Sequence, residues 1–396
     1  MVFFVQKFGG TSVATPDRIA RVADRVLTRL KKGDQVVLVI SAMAGVTNDL
    51  IRLAHQFSGE EGDPEYDVVI SAGEQISAGL MALALSRLGV KTRSFLAWQL
   101  PFLTDDQFSK AEVKSNSLST LEMALNEGNV PVVSGFQGVT ASGRLTTLGR
   151  GGSDLTAVAL AAILKATCET YKDVDGIYTA DPNIVSAAQC LEYVDYTDML
   201  AMAIHGSKVL QARSVAYAAK NNVPVHVLSS FTEHSGTHVA AFPQTRPPIC
   251  GIAISSPLVA VDITFHPTLW TFITTALQTK YLPFNLIEKT TSTARLLFSR
   301  TDFQEVQNFC QTASAITCWN MSPMEQALSR LTVIGQNGTK QQERMKRQLT
   351  EAHIPVQRTT TESSPCASCT FLVHSEDAKR GMQILHHACG LDKKEK

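Results

Sequence analysis

The distribution of apolar residues changes character along the chain. Gln35 to Ser41 (QVVLVIS) is an unbroken apolar run of strand length, the pattern of a strand covered on both faces. Further strands are predicted at 3–7, 90–96, 130–134, 168–172 and 223–228. Between them the spacing becomes helical. Ile19, Val22, Val26 and Leu30 recur at three and four residues, behind Thr15-Pro16-Asp17 and ahead of Lys31-Lys32-Gly33. Thr15 suits the N-cap, Pro16 a first turn that needs no N–H, and Asp17 the positive end of the helix dipole. Further helices are predicted over 70–88, 115–127, 155–165 and 208–221. Strand alternating with helix over this length predicts an α/β domain, a mainly parallel sheet sandwiched by helices.

From 231 to 248 the pattern breaks at Ser235-Gly236, Pro243 and Pro247-Pro248, and the stretch reads as a linker. Beyond it the units shorten. Strand patterns at 259–265, 284–290 and 294–299, with helices at 267–279 and 302–312, make one β-α-β-β-α group. A second runs through 331–334, a helix at 339–352, 356–360, 369–374 and a helix at 376–387. Two successive ferredoxin-like modules are expected. The domain reading is therefore 1–230, a linker at 231–248, and paired modules at 249–396.

Composition narrows the function. The 396 residues carry 36 Lys+Arg and 36 Asp+Glu, so no net charge draws the chain to nucleic acid or an anionic membrane. Any anion must be met by a local site. The apolar start is four or five residues long, too short for a signal-peptide core, and no window gives 18 uninterrupted apolar residues. The eight cysteines, with no secretory signal, read as reduced thiols of a cytoplasmic protein. Cys366 and Cys369 have the C-x-x-C spacing, but no second pair completes a zinc site, and no metal ligand is assigned.

The candidate chemistry sits in Gly-rich turns. Lys7-Phe8-Gly9-Gly10-Thr11-Ser12 lies between the first strand and the first helix. Glycines let backbone N–H groups approach phosphate oxygens, and a helix start adds a favourable field. The Lys precedes the glycines, so this is not a P-loop, and a structural Gly-Gly turn would read the same. Thr146 to Asp154 packs Gly149, Arg150, Gly151, Gly152, Ser153 and Asp154 ahead of an Ala-rich helix. An Arg fork there suits a carboxylate or phosphate, and Ser153 or Asp154 is expected to cap the helix. Lys172 to Pro182 follows an apolar strand, at the edge where open α/β sheets bind ligands, although an Asp-Gly turn has the same form. Lys208, in His205-Gly206-Ser207-Lys208, either sends a charge into that crevice or stands on the surface.

Taken in order, KFGGTSV at 7–13, SAGEQIS at 71–77, TTLGRGGSD at 146–154, DVDGIYTADP at 173–182 and GSKVLQARSV at 206–215 resemble the aspartate kinases of the amino-acid kinase superfamily. The resemblance covers roughly residues 2 to 230. The length and paired modules resemble the short monofunctional members, whose C-terminal ACT domains bind feedback amino acids. It implies the amino-acid kinase fold and transfer of the γ-phosphate of ATP to the β-carboxylate of L-aspartate. The product, 4-phospho-L-aspartate, opens the routes to lysine, threonine, methionine and diaminopimelate. A carboxylate is already ionised at pH 7, so catalysis reduces to placing two anions in line and neutralising them.

By the same resemblance, Lys7 sits on the transferring phosphate, and Gly9, Gly10, Thr11 and Ser41 line the phosphates. Asp154 orients Lys7 or a magnesium-bound water. Arg150 clamps the α-carboxylate of aspartate beside Gly151, Gly152 and Ser153. Thr47 and Glu74 hold the rest of the substrate, Glu74 facing its ammonium. Asp173, Tyr178, Asp181 and Lys208 hold the nucleotide, and Mg2+ is bound mainly through phosphates and water. Lysine or threonine is the implied effector, a tail that only dimerises and senses nothing is the other reading of these modules, and a homodimer or larger assembly is expected. Three places depart from or bear on the pattern. Asn183 stands where these kinases carry Arg. His266-Pro267-Thr268-Leu269-Trp270 lacks their glycine, so Thr268 and Trp270 are expected to crowd the turn. Gly335-Gln336-Asn337-Gly338 keeps a plausible effector loop. The alternatives are a sister kinase acting on glutamate, N-acetylglutamate or another acid, or a sensor that has lost catalysis.

Overall fold

A computed structural model describes residues 3–100, 102–115, 119–241, 247–255, 257–322, 327–336, 338, 340–362 and 367–392. The chain forms two compact units. One comprises Met1–Ile177, Leu191–Tyr196 and Val209–Ala241; the other comprises Tyr178–Cys190, Thr197–Lys208 and Phe242–Lys396.

The chain runs from β1 (Phe3–Phe8) through α1 (Pro16–Leu30), β2 (Gln35–Ile40), α2 (Val46–His55) and α3 (Pro64–Arg87). It continues with β3 (Thr92–Phe95), β4 (Leu103–Thr104), β5 (Val113–Ser115), α4 (Ser119–Asn126) and β6 (Val130–Ser134). Next come β7 (Gln137–Val139), β8 (Leu145–Thr147), α5 (Gly152–Leu164), β9 (Thr167–Lys172) and β10 (Tyr193–Asp195). After these come α6 (Tyr196–His205), α7 (Ala212–Asn221), β11 (Val225–Ser229) and β12 (Thr237–Ala240). The main sheet of the first unit has the order β10-β12-β11-β9-β1-β2-β6-β3. Its pairs are parallel except β11 with β12. A small sheet, β5-β4-β7-β8, lies within the same unit.

The first helix forms as its sequence predicts. Thr15 Oγ1 accepts from the Arg18 N–H at 3.3 Å, Pro16 opens the helix, and Ile19, Val22, Ala23 and Val26 are buried. They share a core with Val36, Leu38 and Ile40 of β2 and with Ala78, Met81 and Leu85 of α3. α3 is long and apolar enough to cross a bilayer by composition alone, yet this face is buried in the domain. It starts six residues before its predicted start, because Asp63 caps it by accepting from the Glu65 N–H at 2.8 Å. The stretch read as a linker carries β12, which closes on β11 through alternate buried residues, Thr237 and Val239. Residues 242–246 of that stretch lie outside the described residues.

The second unit adds β13 (Gly251–Ile254), β14 (Leu258–Phe265), α8 (Trp270–Thr279), β15 (Phe284–Lys289), β16 (Thr293–Ser299), α9 (Phe303–Thr312) and β17 (Ile316–Ser322). It ends with β18 (Leu328–Ile334), α10 (Gln342–Glu351), β19 (Arg358–Glu362), β20 (Ser368–His374) and α11 (Ala378–Ala388). Two antiparallel sheets result, β15-β16-β14-β17 and β13-β18-β20-β19. The first is a complete β-α-β-β-α-β module. The second takes its fourth strand from β13, upstream of the first module, which pairs Gly251 with Ile334 and Ile254 with Leu331.

The modules are therefore nested, not successive as the sequence predicts. The cause is apolar: Ile249 and Ile252 pack in one core with Leu331, Val333, Phe371 and Leu385. Ala180 and Val185 join that core, so residues 178–190 group with the second unit.

Candidate active site

The first unit brings Lys7, Asp154 and Lys172 together at the carboxyl edge of the neighbouring strands β9 and β1. Lys7 lies near the end of β1, opposite Val39 of β2 and Thr170 of β9. Its ammonium is 2.7 Å from Asp154 Oδ1. Asp154 is in the first turn of α5 and is buried. Its other oxygen, Oδ2, accepts from Lys172 Nζ at 2.8 Å, at the last residue of β9. Burial opposes charge on Asp154, but Lys172 and then Lys7 outweigh it and hold the carboxyl down to about 2. Asp154 is thus an ionised bridge between two lysines. Sequence reasoning gave Lys172 no role. The available signal was a Lys closing a predicted strand directly before the Asp-Val-Asp-Gly turn.

The glycines lie beside this cluster. A Cβ on Gly9 would sit 3.7 Å from Lys7 Nζ, so the ammonium passes over bare backbone. A Cβ on Gly10 would meet the Ala42 carbonyl at 2.8 Å, a close approach of two backbones that a side chain would forbid. The Gly10 carbonyl accepts from the Ala44 N–H at 3.2 Å, and Ser41 N–H donates to the Phe8 carbonyl at 3.2 Å. Thr11 is half-buried, and its carbonyl takes the Arg18 guanidinium at 2.5 Å.

Glu74 reaches this loop from α3. Its Oε1 accepts from the Ala42 N–H at 3.1 Å, and Oε2 is buried with no hydrogen-bond partner among the described residues. Burial pushes its pKa up to about 7, with the Ala42 N–H, its own N–H and Lys7 pulling the other way. Thr47 lies half-buried in the first turn of α2, behind Gly45 at φ 90°.

The turn before α5 departs from its expected cap. Neither Ser153 nor Asp154 caps the helix: Gly151 holds that place at φ 72°, with no side-chain bond. The reason is that Asp154 faces the lysines. Ser153 is buried so close to the end of β6 that a Cβ on Gly135 would lie 2.7 Å from its Cβ. A Cβ on Gly152 would meet Phe136 Cδ2 at 2.7 Å. Arg150 is exposed and makes no ion pair among the described residues.

Asp67 of α3, fully buried, anchors the loop. It accepts from the Ser109 N–H and hydroxyl at 2.8 Å each, and from the Thr147 N–H and hydroxyl at 2.7 and 3.0 Å. Arg213 of α7 donates to the Leu148 carbonyl at 2.6 Å and to the Ala111 carbonyl at 3.0 Å. Neither residue was singled out from sequence.

The predicted nucleotide residues divide. Asp173 is exposed in the first unit, whereas Tyr178, Asp181 and Lys208 belong to the second. There, Asp181 Oδ1 accepts from the Asn183 N–H at 2.9 Å and its Nδ2 at 3.1 Å, a turn closed on itself. Lys208 is exposed after a loop in which a Cβ on Gly206 would strike the Ile254 carbonyl at 2.1 Å. In the predicted effector turn, Trp270 packs on Phe265 with ring centres 5.2 Å apart. The Gly338 N–H donates to the Gly335 carbonyl at 3.0 Å; Asn337 and Cys366 lie outside the described residues.

Known proteins resemble this chain in sequence and fold. The Amino acid kinase family matches residues 3–229. A Pseudomonas fluorescens protein named aspartate kinase is 48% identical over 261 residues, 64% of this chain and 63% of its own length. A Mycobacterium bovis aspartokinase is 46% identical over 275 residues, covering 68% of this chain and 65% of its own length. These matches span just under two thirds of the relatives' length. Among solved structures, Escherichia coli aspartokinase III with aspartate and ADP superposes with TM-score 0.78 at 25% identity, covering 98% of this chain and 99% of that one. The same enzyme with lysine and aspartate gives TM-score 0.69 at 27% identity, covering 97% and 99%.

Proposed function

The chain belongs to the amino acid kinase family, and on that premise we propose that it transfers the γ-phosphate of ATP to the β-carboxylate of L-aspartate. The buried Lys7–Asp154 pair at the strand edge carries this reading. A paired ammonium at a bare glycine turn is a preorganised partner for charge that develops on a transferring phosphate. Glu74 supports a free amino acid as acceptor: its unpartnered buried Oε2 calls for a cation, and the α-ammonium of aspartate is one. Arg150, exposed and free of ion pairs among the described residues, would take the α-carboxylate. Thr47, Gly151, Gly152 and Ser153 complete the acceptor side. Gly9, Gly10, Thr11 and Ser41 line the phosphates, and Asp173, Tyr178, Asp181 and Lys208 serve the nucleotide.

Mg2+ fits as an ion carried by phosphate oxygens and water, because the buried carboxylate nearest Lys7 has both oxygens engaged by ammoniums. It would neutralise phosphate charge. The domain reading stands as a proposal: a kinase domain followed by a linker and an effector-binding tail. The tail's ligand is lysine or threonine, and the protein works as a homodimer or larger in the cytoplasm.

The assay is formation of hydroxamate from ATP, Mg2+, hydroxylamine and a panel of acids. Aspartate alone should give product, and adding lysine or threonine should lower its rate. Lys7→Ala should abolish turnover with the thermal unfolding midpoint retained. Product from glutamate alone would replace the substrate; full activity of Lys7→Ala would remove the assigned role.

A further inference from the structure

Asp154 needs only one oxygen to hold Lys7, yet its second oxygen binds another ammonium, that of Lys172. Two lysines share this one carboxylate, and Glu74, the other carboxylate that Lys7 acts on, is pushed up to about 7 by burial, so positive charge is in excess inside the protein. Such a charge is costly unless an anion completes it. The two lysines differ in access. The Lys172 side chain keeps 15% of its surface exposed against 7% for Lys7, so Lys172 is the more open to an anion arriving from solvent. Its main chain is fixed, the Lys172 carbonyl accepting from the Ser230 N–H at 2.8 Å, so the ammonium projects from a rigid strand end. Asp154 sets its direction from α5.

We propose that Lys172 is a second phosphate-binding cation of the transfer site, its ammonium held by Asp154 opposite Lys7 and taking an oxygen of the β- or γ-phosphate of the nucleotide. The inference rests on the kinase reading above. In the step it serves, an aspartate carboxylate oxygen forms the bond to the γ-phosphorus. The bond from that phosphorus to the bridging oxygen breaks, with its electron pair leaving on ADP. Lys172 keeps its proton throughout and neutralises oxygens whose charge grows.

Burial depresses the Lys172 ammonium to about 8, with Asp154 opposing and Lys7 adding to the fall. In the free enzyme its charge is therefore present at neutral pH and lost as pH rises through that value, which gives the test a second axis.

The experiment compares wild type, Lys172→Met and Lys172→Arg by steady-state kinetics with ATP varied. Calorimetry with a non-hydrolysable ATP analogue and Mg2+ runs in parallel. Lys172→Met should lower kcat/KM for ATP and analogue affinity by about 10- to 100-fold, leaving KM for aspartate within about 2-fold. Lys172→Arg should recover most of the loss and move the alkaline fall of kcat/KM for ATP to higher pH. A residue that only propped up Asp154 would lower the unfolding midpoint and disturb both substrates together. Analogue affinity and kcat/KM for ATP within about 2-fold of wild type in Lys172→Met would overturn the proposal, as would failure of Arg to recover either. If wild type makes no aspartyl hydroxamate, the substrate reading fails, and analogue binding still decides the role of Lys172.

Discussion

Glu74 has a carboxylate whose two oxygens live differently: one accepts from Ala42, the other is buried without a hydrogen-bond partner among the described residues. Its pKa, about 7 through burial, lies above the unfolded value of 4.5. The protonated side chain therefore stabilises the fold, fully below pH 4.5, and that stability is lost as pH rises through about 7. Binding an ammonium asks for the opposite, ionised form. KM for aspartate should fall as pH rises through about 7 and then level off, while Glu74→Gln should raise KM by about 10- to 100-fold and flatten its pH profile. The same variant should unfold at higher temperature than wild type at pH 8, since it no longer buries a charge. A pH-independent KM in wild type would take Glu74 away from the ammonium. Asp154 has the reverse sign: its stability is present above pH 3.8 and lost as pH falls through about 2.

Among elements, the loop before α5 shows why local reading reaches only part of a site. The start of α1 is legible because Thr15, Pro16 and Asp17 need only their immediate neighbours. Asp67 takes its four donors from Ser109 and Thr147, 42 and 80 residues away, and nothing near it in sequence betrays that. Lys172 was visible but mute, because its meaning depends on Asp154, 18 residues upstream on another element. The cap of α5 was misread for a related reason: a residue that could cap the helix is drawn off by a stronger, charged partner. Burial pushes the Asp67 carboxyl up in pKa while its four bonds hold it down. Asp67→Ala would strand those donors, and we expect a loss of about 2–4 kcal/mol in denaturant unfolding, with KM for aspartate rising because Arg150 shares the loosened loop. Unchanged stability would mean that water replaces the carboxylate freely.

For the whole molecule, alternation of strand and helix made the parallel sheet readable, and five ordered motifs made the family readable. Domain edges were not, because they depend on which core a segment joins. Ala180 and Val185 pack with Ile252 and Phe371, so a cut near the predicted boundary at 230 severs a core, not a tether. A fragment ending at Ala241 keeps 178–190 and 197–208 without the unit they belong to. It should be poorly soluble and show a broad, weakly cooperative melt beside the full chain. A soluble, sharply melting fragment would contradict this.

Nesting also dictates an order of assembly. β13 is synthesised before the whole of the first module, and its partner β18 only after it, so its backbone groups wait unpaired while that module is made. The inserted module shortens the wait in space. Once β14 pairs with β17, Ala260 lies opposite Ser322, and the chain leaves the module beside where it entered. β13 and β18 are then delivered to one another with most of the loop-closure entropy already spent. The inner module is therefore expected to fold first and bring the ends of the outer one together. A lesion in its core, at Val261 or Phe298, would therefore appear as a slow or failed closure of a sheet that contains neither residue.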